Sequence, residues 1–195
     1  MPRTDYREKI LKAAMEAISE RGMFGLRMQD VAERVGMSPG HILYYYQSKQ
    51  RLLLETLRWS EDRLAGPRAR ELEALPTGPA RLERFIVIYL PTGSTHPEWL
   101  LWLQAWALSA EDPEVAGITG ALNARWADDL AATVRFGSER GEFHVVDTTR
   151  FCEAFLAVLD GLSLHVLHDA PSIDPERACG IALQIASDQL GFDLP

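Results

Sequence analysis

Residues 30–53 of the chain, DVAERVGMSPGHILYYYQSKQRLL, contain two short helical segments joined by Gly36-Met37-Ser38. Gly36 can adopt the left-handed backbone conformation that turns a chain sharply after a helix. Ser38 offers a hydroxyl that can cap a helix, and Pro39 suits the first helical position, where no N–H is needed. The stretch therefore predicts helices from Met28 to Val35 and from Pro39 to Tyr46, in a helix-turn-helix arrangement.

The two segments each have a face that can pack and a face that can be exposed. The residues spaced to pack the two helices together are Val31, Ala32, Val35 and Ile42. The residues left on the outer face of the second helix are Ser38, Pro39, Gly40, His41, Tyr44 and Tyr45. We expect this outer face to be available to a partner.

The chemistry of that outer face suits a DNA duplex. The first N–H groups of a helix attract phosphate, and Gly40 has no side chain that would hold a duplex away. His41 and Tyr44 lie one turn apart and can donate hydrogen bonds to base edges or phosphates. Lys49 follows at the start of the next helix, where a cation is unfavourable unless an anion binds there.

The run Tyr44-Tyr45-Tyr46 has an alternative interpretation as a packing cluster in a small helical domain. A tyrosine near a helix end is often half-buried, with its hydroxyl bonded to the chain. Because Tyr46 lies on the inner face, we expect it to pack into the core. Tyr44 and His41 lie on the outer face, and we expect them to contact DNA.

The rest of the sequence has helical spacing of apolar residues and almost no strand pattern. Gly66-Pro67 and residues 76–79, PTGP, are expected to break helices. The predicted helices run from about Tyr6 to Arg21, Met28 to Val35, Pro39 to Tyr46, Lys49 to Leu64, Ala80 to Leu90, Glu98 to Ala110, Pro113 to Arg140, Thr148 to His168 and Pro175 to Leu190. The fold class is therefore all-α, with about nine helices.

The charge of the chain is divided unevenly along its 195 residues. The net charge is −8, yet the first 50 residues carry eight Lys and Arg against six Asp and Glu. A mildly basic head on an acidic body suggests that the two parts have different partners. The two cysteines exclude a disulfide scaffold, and no apolar run is long enough for a membrane span. Because no secretory signal is visible in the sequence, a cytoplasmic location is expected.

The helix-turn-helix residues carry a resemblance to a known family. The motif combines Asp30-Val31-Ala32, Val35-Gly36-Met37-Ser38, Gly40, Ile42, Tyr44, Tyr46, Ser48-Lys49 and Leu52-Leu53. In this spacing, residues 7–60 resemble the N-terminal domain of the TetR family of transcriptional regulators. A weaker resemblance to a BetI-like subgroup lies in residues 141–143, GEF, 155–162, FLAVLDGL, and 174–178, DPERA.

The resemblance implies a homodimer, with residues 1–48 as the DNA-binding domain and 49–195 as the ligand-binding and dimerisation domain. It places the third helix in the major groove. The residues that it brings to phosphates are Arg27, Gln29, Tyr44, Tyr45 and Lys49. The family usually has Ser or Thr capping the second helix, whereas this chain has Leu26-Arg27.

Aromatic residues in the middle of the chain suggest an effector pocket. The candidates are Phe85, Tyr89, Trp102, Trp106 and Trp126, and Trp99 shares a helix face with Trp102 and Trp106. Dense aromatic residues line pockets for apolar or planar ligands, and a cationic ligand would add cation–π contacts with help from Glu111 or Asp128. The alternative is that the tryptophans belong to the core.

An apolar seam near the C-terminus suggests a dimer interface made by the last two helices. Its residues are Phe151, Phe155, Leu159, Leu162, Val166, Ile181 and Ile185. The alternative is that they form core within one chain. His165 and His168 lack further ligands at metal-binding spacing, and we expect no metal, no cofactor and no catalytic residues.

These observations predict a ligand-responsive transcriptional regulator. The expected form is a repressor that binds a palindromic operator in double-stranded DNA as a homodimer. A small aromatic, apolar or cationic effector would release it, and no membrane partner is expected. The alternatives are a helical-bundle binding protein or enzyme with no role at DNA, and a regulator that senses no ligand.

Overall fold

A computed structural model describes residues 3–144 and 147–194, without the side chains of residues 3–5 and 22–25. Those residues form nine α-helices and no strand. The helices are α1 (Arg3–Gly25), α2 (Met28–Val35), α3 (Pro39–Tyr46), α4 (Lys49–Glu73), α5 (Gly78–Tyr89), α6 (Pro97–Ser109), α7 (Pro113–Glu139), α8 (Thr148–Leu167) and α9 (Pro175–Leu190). The predicted all-α class is confirmed.

Local capping chemistry determines several of the helix ends. The Ser38 hydroxyl accepts the His41 N–H at 3.2 Å, and the Asp174 carboxylate accepts the Arg177 N–H at 2.8 Å. Gly36 and Gly191 adopt the left-handed conformation, each with φ of 68°, after α2 and α9. These ends fall within a residue of the predicted ones because capping depends on residues next to one another in sequence.

Two predicted C-terminal helix ends are wrong, and α1 also begins at Arg3 rather than at about Tyr6. The first helix continues past Gly22, because a glycine costs a helix only about 1 kcal/mol relative to alanine. The fourth continues through Gly66-Pro67 to Glu73. After the proline, the Arg68 guanidinium pairs with Asp129, with 2.6 Å between Nε and Oδ2.

The chain divides into two compact units. Unit 1 contains the chain up to Arg63 together with Thr95–Leu122, and unit 2 contains Leu64–Ser94 with the chain from Asn123 onward. In unit 1, α1 packs against α2 and α6, and α2 packs against α3. In unit 2, α9 packs against α5 and α8. The functional division at residue 48 stays a prediction.

Each unit has its own apolar core. The fully buried side chains of unit 1 include Ile10, Ile18, Leu26, Ile42, Leu52 and Leu57. Those of unit 2 include Leu82, Phe85, Ile86, Leu130, Phe155 and Leu159. No helix in the described part of the chain is long and apolar enough to cross a membrane.

The predicted dimer seam lies mostly inside one chain. Five of its seven residues are buried without any partner chain, namely Phe151, Phe155, Leu159, Leu162 and Val166. Only Ile181 and Ile185 are half-buried. The burial favours the alternative that the five residues form core, because a side chain enclosed by its own chain offers little surface to a second copy.

Candidate nucleic-acid interface and effector clusters

Helix α3 divides into a buried face and an exposed face. Ile42 is fully buried and Tyr46 is 3% exposed, whereas Tyr44 is 74% exposed. The Tyr46 hydroxyl donates to the Arg7 carbonyl at 3.3 Å, and burial raises the pKa of Tyr46 to about 12. The structure therefore agrees with the sequence in placing Tyr46 in the core and Tyr44 outside it.

The exposed face of α3 carries an ordered group of rings. The His41 ring stacks on the Tyr45 ring, with centroids 5.5 Å apart and planes 19° apart. The Tyr44 ring meets Tyr45 edge-on at 5.8 Å. Ser38, Pro39 and Gly40 precede these rings and, like His41 and Tyr44, are exposed, whereas Tyr45 is half-buried. We call this set, residues 38–41 with Tyr44 and Tyr45, the α3 surface.

Helix α2 begins without a Ser or Thr cap, and Asp30, a residue of the helix itself, supplies the cap instead. The Arg27 N–H donates to the Asp30 carboxylate at 3.0 Å, and the Asp30 N–H donates to the Arg27 carbonyl at 3.0 Å. Asp30 also pairs with Arg21 at 2.9 Å. Because Asp30 supplies the cap, the Arg27 side chain remains exposed at the start of the helix.

The other two predicted phosphate contacts lie on neighbouring helices. The exposed Gln29 side chain donates to Glu33 at 3.0 Å along α2. Lys49 is half-buried in the first turn of α4, which Ser48 caps by accepting the Arg51 N–H at 3.0 Å. Lys49 thus lies three residues after the end of α3.

The five predicted effector residues fall into two clusters, one in each unit. In unit 2, the Trp126 ring lies 5.0 Å from the Tyr89 ring and 5.8 Å from the Phe85 ring. The Arg68 guanidinium lies over Trp126, 3.6 Å from its centroid. The Tyr89 hydroxyl donates to the Asp160 carboxylate at 2.6 Å. We call this group the Trp126 cluster.

The Asp160 carboxylate of this cluster is partly withdrawn from water. Burial raises the pKa of Asp160, and the hydrogen bond from Tyr89 opposes that rise. A raised pKa means that the folded chain holds the Asp160 proton more tightly than the unfolded chain does. The charged carboxylate therefore lowers the stability of the fold as the pH rises from the ordinary pKa of an aspartate, near 4, through the raised pKa that Asp160 has in the fold.

Asp160→Asn should reveal this cost as a pH-dependent gain in stability. The amide oxygen still accepts the Tyr89 hydroxyl but carries no charge. The variant should match the wild type near pH 4 and have the higher melting temperature at pH 7. Thermal unfolding at several pH values measures the difference, with the exposed Asp188→Asn as control. An offset that does not vary with pH would contradict the assignment.

In unit 1, the rings of three α6 tryptophans lie close together. The Trp106 ring lies 5.9 Å from Trp99 and 5.8 Å from Trp102. The Trp102 indole N–H donates to the Glu61 carboxylate at 2.9 Å, and Glu61 is 3% exposed. We call these residues, with Glu98, the Trp102 cluster.

Glu98 brings a second carboxylate to the start of α6. Its oxygens lie 3.2 Å from His96 Nε2 and 3.5 Å from the Ser60 hydroxyl. The hydrogen bond with His96 lowers the pKa of Glu98, although burial opposes it. Glu98 is therefore charged at neutral pH.

The carboxylates expected near the aromatic residues were Glu111 and Asp128, both of which are exposed. The structure instead has Glu61 against Trp102 and Asp160 against Tyr89. Sequence reasoning missed Glu61, although it stands four residues after Leu57 on the buried face of α4. A carboxylate on an apolar stripe was the available signal.

Comparisons with known proteins identify the chain's family. Residues 79–191 match the family model described as the C-terminal domain of BetI-type transcriptional repressors. Residues 10–56 match the model of bacterial regulatory proteins of the tetR family. The chain belongs to the TetR family.

Relatives of this TetR-family chain cover it almost entirely. The HTH-type transcriptional regulator BetI of Escherichia coli K12 is 25% identical over 190 residues, which are 96% of this chain and 95% of BetI. A transcriptional regulator of Saccharomonospora viridis, solved in complex with choline, is 28% identical with a TM-score of 0.86. That match covers 96% of this chain and 98% of the other.

A TetR-family regulator from a Rhodococcus species is also similar in structure, at 26% identity and a TM-score of 0.75, covering 96% of this chain and 99% of its own. The resemblance proposed from sequence is confirmed. The chain is a transcriptional regulator with a DNA-binding helix-turn-helix, and the family is not one of enzymes.

The described residues of this TetR-family chain were also compared with the requirements of a metal site and of a reactive thiol. Within residues 3–144 and 147–194, no group of three or more His, Cys, Asp or Glu side chains is placed to hold a metal ion. Cys152 is buried, and burial raises its pKa to about 11. Its thiol is therefore protonated at neutral pH and unreactive.

Proposed function

We propose that this chain is a cytoplasmic repressor that binds a palindromic operator as a homodimer and leaves it when a small organic cation binds. The α3 surface is the observation that carries the proposal. Its helix start and the His41 and Tyr44 rings are exposed, and their hydrogen-bonding groups are those that read base edges and phosphates. An added Cβ at Gly40 would meet nothing within 4 Å, so the fold itself does not require a glycine there. A close approach by DNA accounts for it.

We expect contacts to DNA phosphates on both sides of α3. Arg27 at the start of α2 and Lys49 at the start of α4 place positive charge on both sides of it in sequence. Gln29, Tyr44 and Tyr45 add hydrogen-bond donors. Contacts of this kind fix the protein on the duplex without distinguishing sequences.

Arg27→Ala should weaken binding to all DNA sequences alike. Losing one phosphate contact should reduce the slope of log affinity against log salt by about one. The matched control is Arg34→Ala, which removes the same charge from α2 but from a side chain paired with Glu20. Anisotropy titrations at several salt concentrations measure both slopes. Equal slopes for the two variants would contradict a phosphate contact at Arg27.

The dimer interface is assigned to the outer side of α8 and α9. The larger α8 residues face inward. The outer side carries small or apolar residues three or four positions apart, so that they lie along one face of the helix. They are Ala154, Ala157, Gly161 and Leu164 on α8, joined by Ile181 and Ile185 on α9. Small side chains let two helices approach closely, as a four-helix bundle made by two copies requires.

The effector is assigned to the class of small organic cations. Indole faces and buried carboxylates together recognise ammonium groups, and the Trp102 cluster has both. Arg68 already covers Trp126 with a positive charge, which makes the Trp126 cluster the weaker candidate. The choline complex of the Saccharomonospora viridis regulator supports this ligand class.

Choline is the probe for this assignment. It should raise the melting temperature by several degrees at concentrations well above its dissociation constant. Glu61→Gln keeps an acceptor for the Trp102 N–H while removing the charge, and should abolish the shift. Asp160→Asn should retain it. Loss in Asp160→Asn alone would move the site to the Trp126 cluster, and no shift with choline or other cations would exclude this effector class.

The DNA part of the proposal is tested by recovering bound duplexes from random genomic fragments. A footprint on the recovered operator should show two related half-sites, with centres one helical turn, roughly 34 Å, or a multiple of it apart. Two chains should bind each operator. A single unsymmetrical footprint, with one chain bound to each operator, would contradict binding as a homodimer.

A further inference from the structure

His41 occupies the first turn of α3, and its side chain is exposed. Ser38 accepts the His41 backbone N–H twice, through its hydroxyl at 3.2 Å and its carbonyl at 3.0 Å. Residues near the start of a recognition helix are the ones that contact base edges in the major groove. The position of His41 therefore brings a titratable side chain to the part of α3 that reads sequence.

The His41 ring is held through one of its faces. It stacks on the Tyr45 ring, one helical turn later, with centroids 5.5 Å apart and planes 19° apart. Both nitrogens of an imidazole lie on the edge of the ring, so stacking through the face leaves them available. In the described part of the chain, no group forms a hydrogen bond with either ring nitrogen.

The charges on the helices around α3 provide no anion for the His41 ring. Helix α3 itself contains no Asp, Glu, Lys or Arg. Helix α2 packs against α3, and its two acids are engaged elsewhere, Asp30 with Arg21 and Glu33 with Gln29. The basic side chains on the adjoining helices include Arg7, Arg27, Arg34 and Lys49. The start of a helix also disfavours a positive charge, so the free protein does little to hold a second proton on His41.

A DNA duplex supplies what the free protein lacks. Guanine presents two acceptors in the major groove, N7 and O6, whereas adenine presents an acceptor beside a donor. A neutral imidazole has one donor and one acceptor, and a protonated imidazole has two donors. The protonated ring can therefore donate to a guanine and to a phosphate oxygen together. Phosphate charges favour this positive form, and so does the face of the Tyr45 ring.

We propose that His41 takes up a proton when α3 enters the major groove and recognises a guanine in each half-site, with Tyr45 as the residue that positions its ring. The proposal rests on the proposed function, because it requires the α3 surface at an operator. The complex then holds the His41 proton more tightly than the free protein does. Operator binding therefore tightens as the pH falls through the range in which histidines titrate.

Anisotropy titrations of the full-length protein with the recovered operator test the proton uptake. At fixed salt, the wild type should bind about 5- to 20-fold more tightly at pH 6 than at pH 8. His41→Gln keeps a hydrogen-bonding side chain that does not titrate, and its affinity should change by less than about twofold over this range. The matched control is His168→Gln, which removes an exposed histidine of unit 2 and should keep the wild-type pH dependence.

Two variants of Tyr45 separate positioning of His41 from phosphate contact. Tyr45→Phe keeps the ring face but loses the hydroxyl, so it should bind more weakly at both pH values and keep the pH dependence. Tyr45→Leu removes the ring, so its pH dependence should fall to about twofold or less because His41 is no longer held. Melting temperatures of both variants show that they are folded. Equal pH dependence in the two would contradict the positioning role.

The guanine is tested by replacing the guanines of the operator one at a time with 7-deazaguanine. This analogue still pairs with cytosine but lacks the N7 acceptor. At one position in each half-site, it should weaken wild-type binding at pH 6 and leave the binding of His41→Gln unchanged. If no guanine behaves in this way, the base assignment is wrong.

One result would overturn the proton uptake, namely specific operator binding whose pH dependence is the same in the wild type and in His41→Gln. A failure of the proposed function would look different. The protein would then show no preference for the operator over a scrambled duplex at either pH.

Discussion

Tyr44→Ala is expected to lower affinity for the recovered operator about 10- to 100-fold while leaving the melting temperature unchanged. The side chain is 74% exposed, so its removal costs the fold little. At the duplex it would lose a hydrogen bond and the contact of a large ring, together worth about 1.5–3 kcal/mol. Its ring also contacts Tyr45 edge-on.

Leu43→Ala is the matched control on the same helix. Leu43 is 40% exposed but lies outside the α3 surface, and its removal should change operator affinity less than threefold. Anisotropy titrations with one operator duplex compare the three proteins, and calorimetry follows their unfolding. A large fall in melting temperature for Tyr44→Ala would show that this residue supports the fold.

Phe85→Ala should destabilise the protein by about 3–5 kcal/mol. Phe85 is fully buried, with its ring 5.8 Å from both Tyr89 and Trp126. Truncation removes apolar surface from the core of unit 2 and leaves a cavity that its aromatic neighbours cannot fill. Urea unfolding of the full-length protein measures the loss.

Val87→Ala is the control for Phe85→Ala because it lies on the same helix and is 44% exposed. It should change stability by less than about 0.5 kcal/mol. A loss for Phe85→Ala of that same small size, together with a lost response to choline, would mean that Phe85 lines an open pocket. The core assignment would then be wrong.

The helix-turn-helix was predictable because its determinants are local. Gly36 turns the chain, and Ser38 caps α3. Ile42 and Tyr46 lie four residues apart on the buried face of α3, and their neighbours on the other face are exposed. None of these features depends on contacts with distant parts of the chain. Family resemblance in the same residues supported the same assignment.

Features that depend on distant contacts were not predictable. Helix α4 continues past Pro67, and Arg68 there meets Asp129, which lies 61 residues later. Glu61 and Asp160 are found beside aromatic rings only once separate helices are brought together. Apolar spacing on α8 identified a buried face correctly, but spacing alone does not tell whether a face packs on its own chain or on a second copy.

Competition binding of the full-length wild-type protein tests the central claim, that the α3 surface reads a specific duplex. A labelled operator competes with a duplex of the same length and base composition in scrambled order, at fixed salt. We predict that the operator binds at least about a thousandfold more tightly. Equal affinity for the two duplexes would contradict the account.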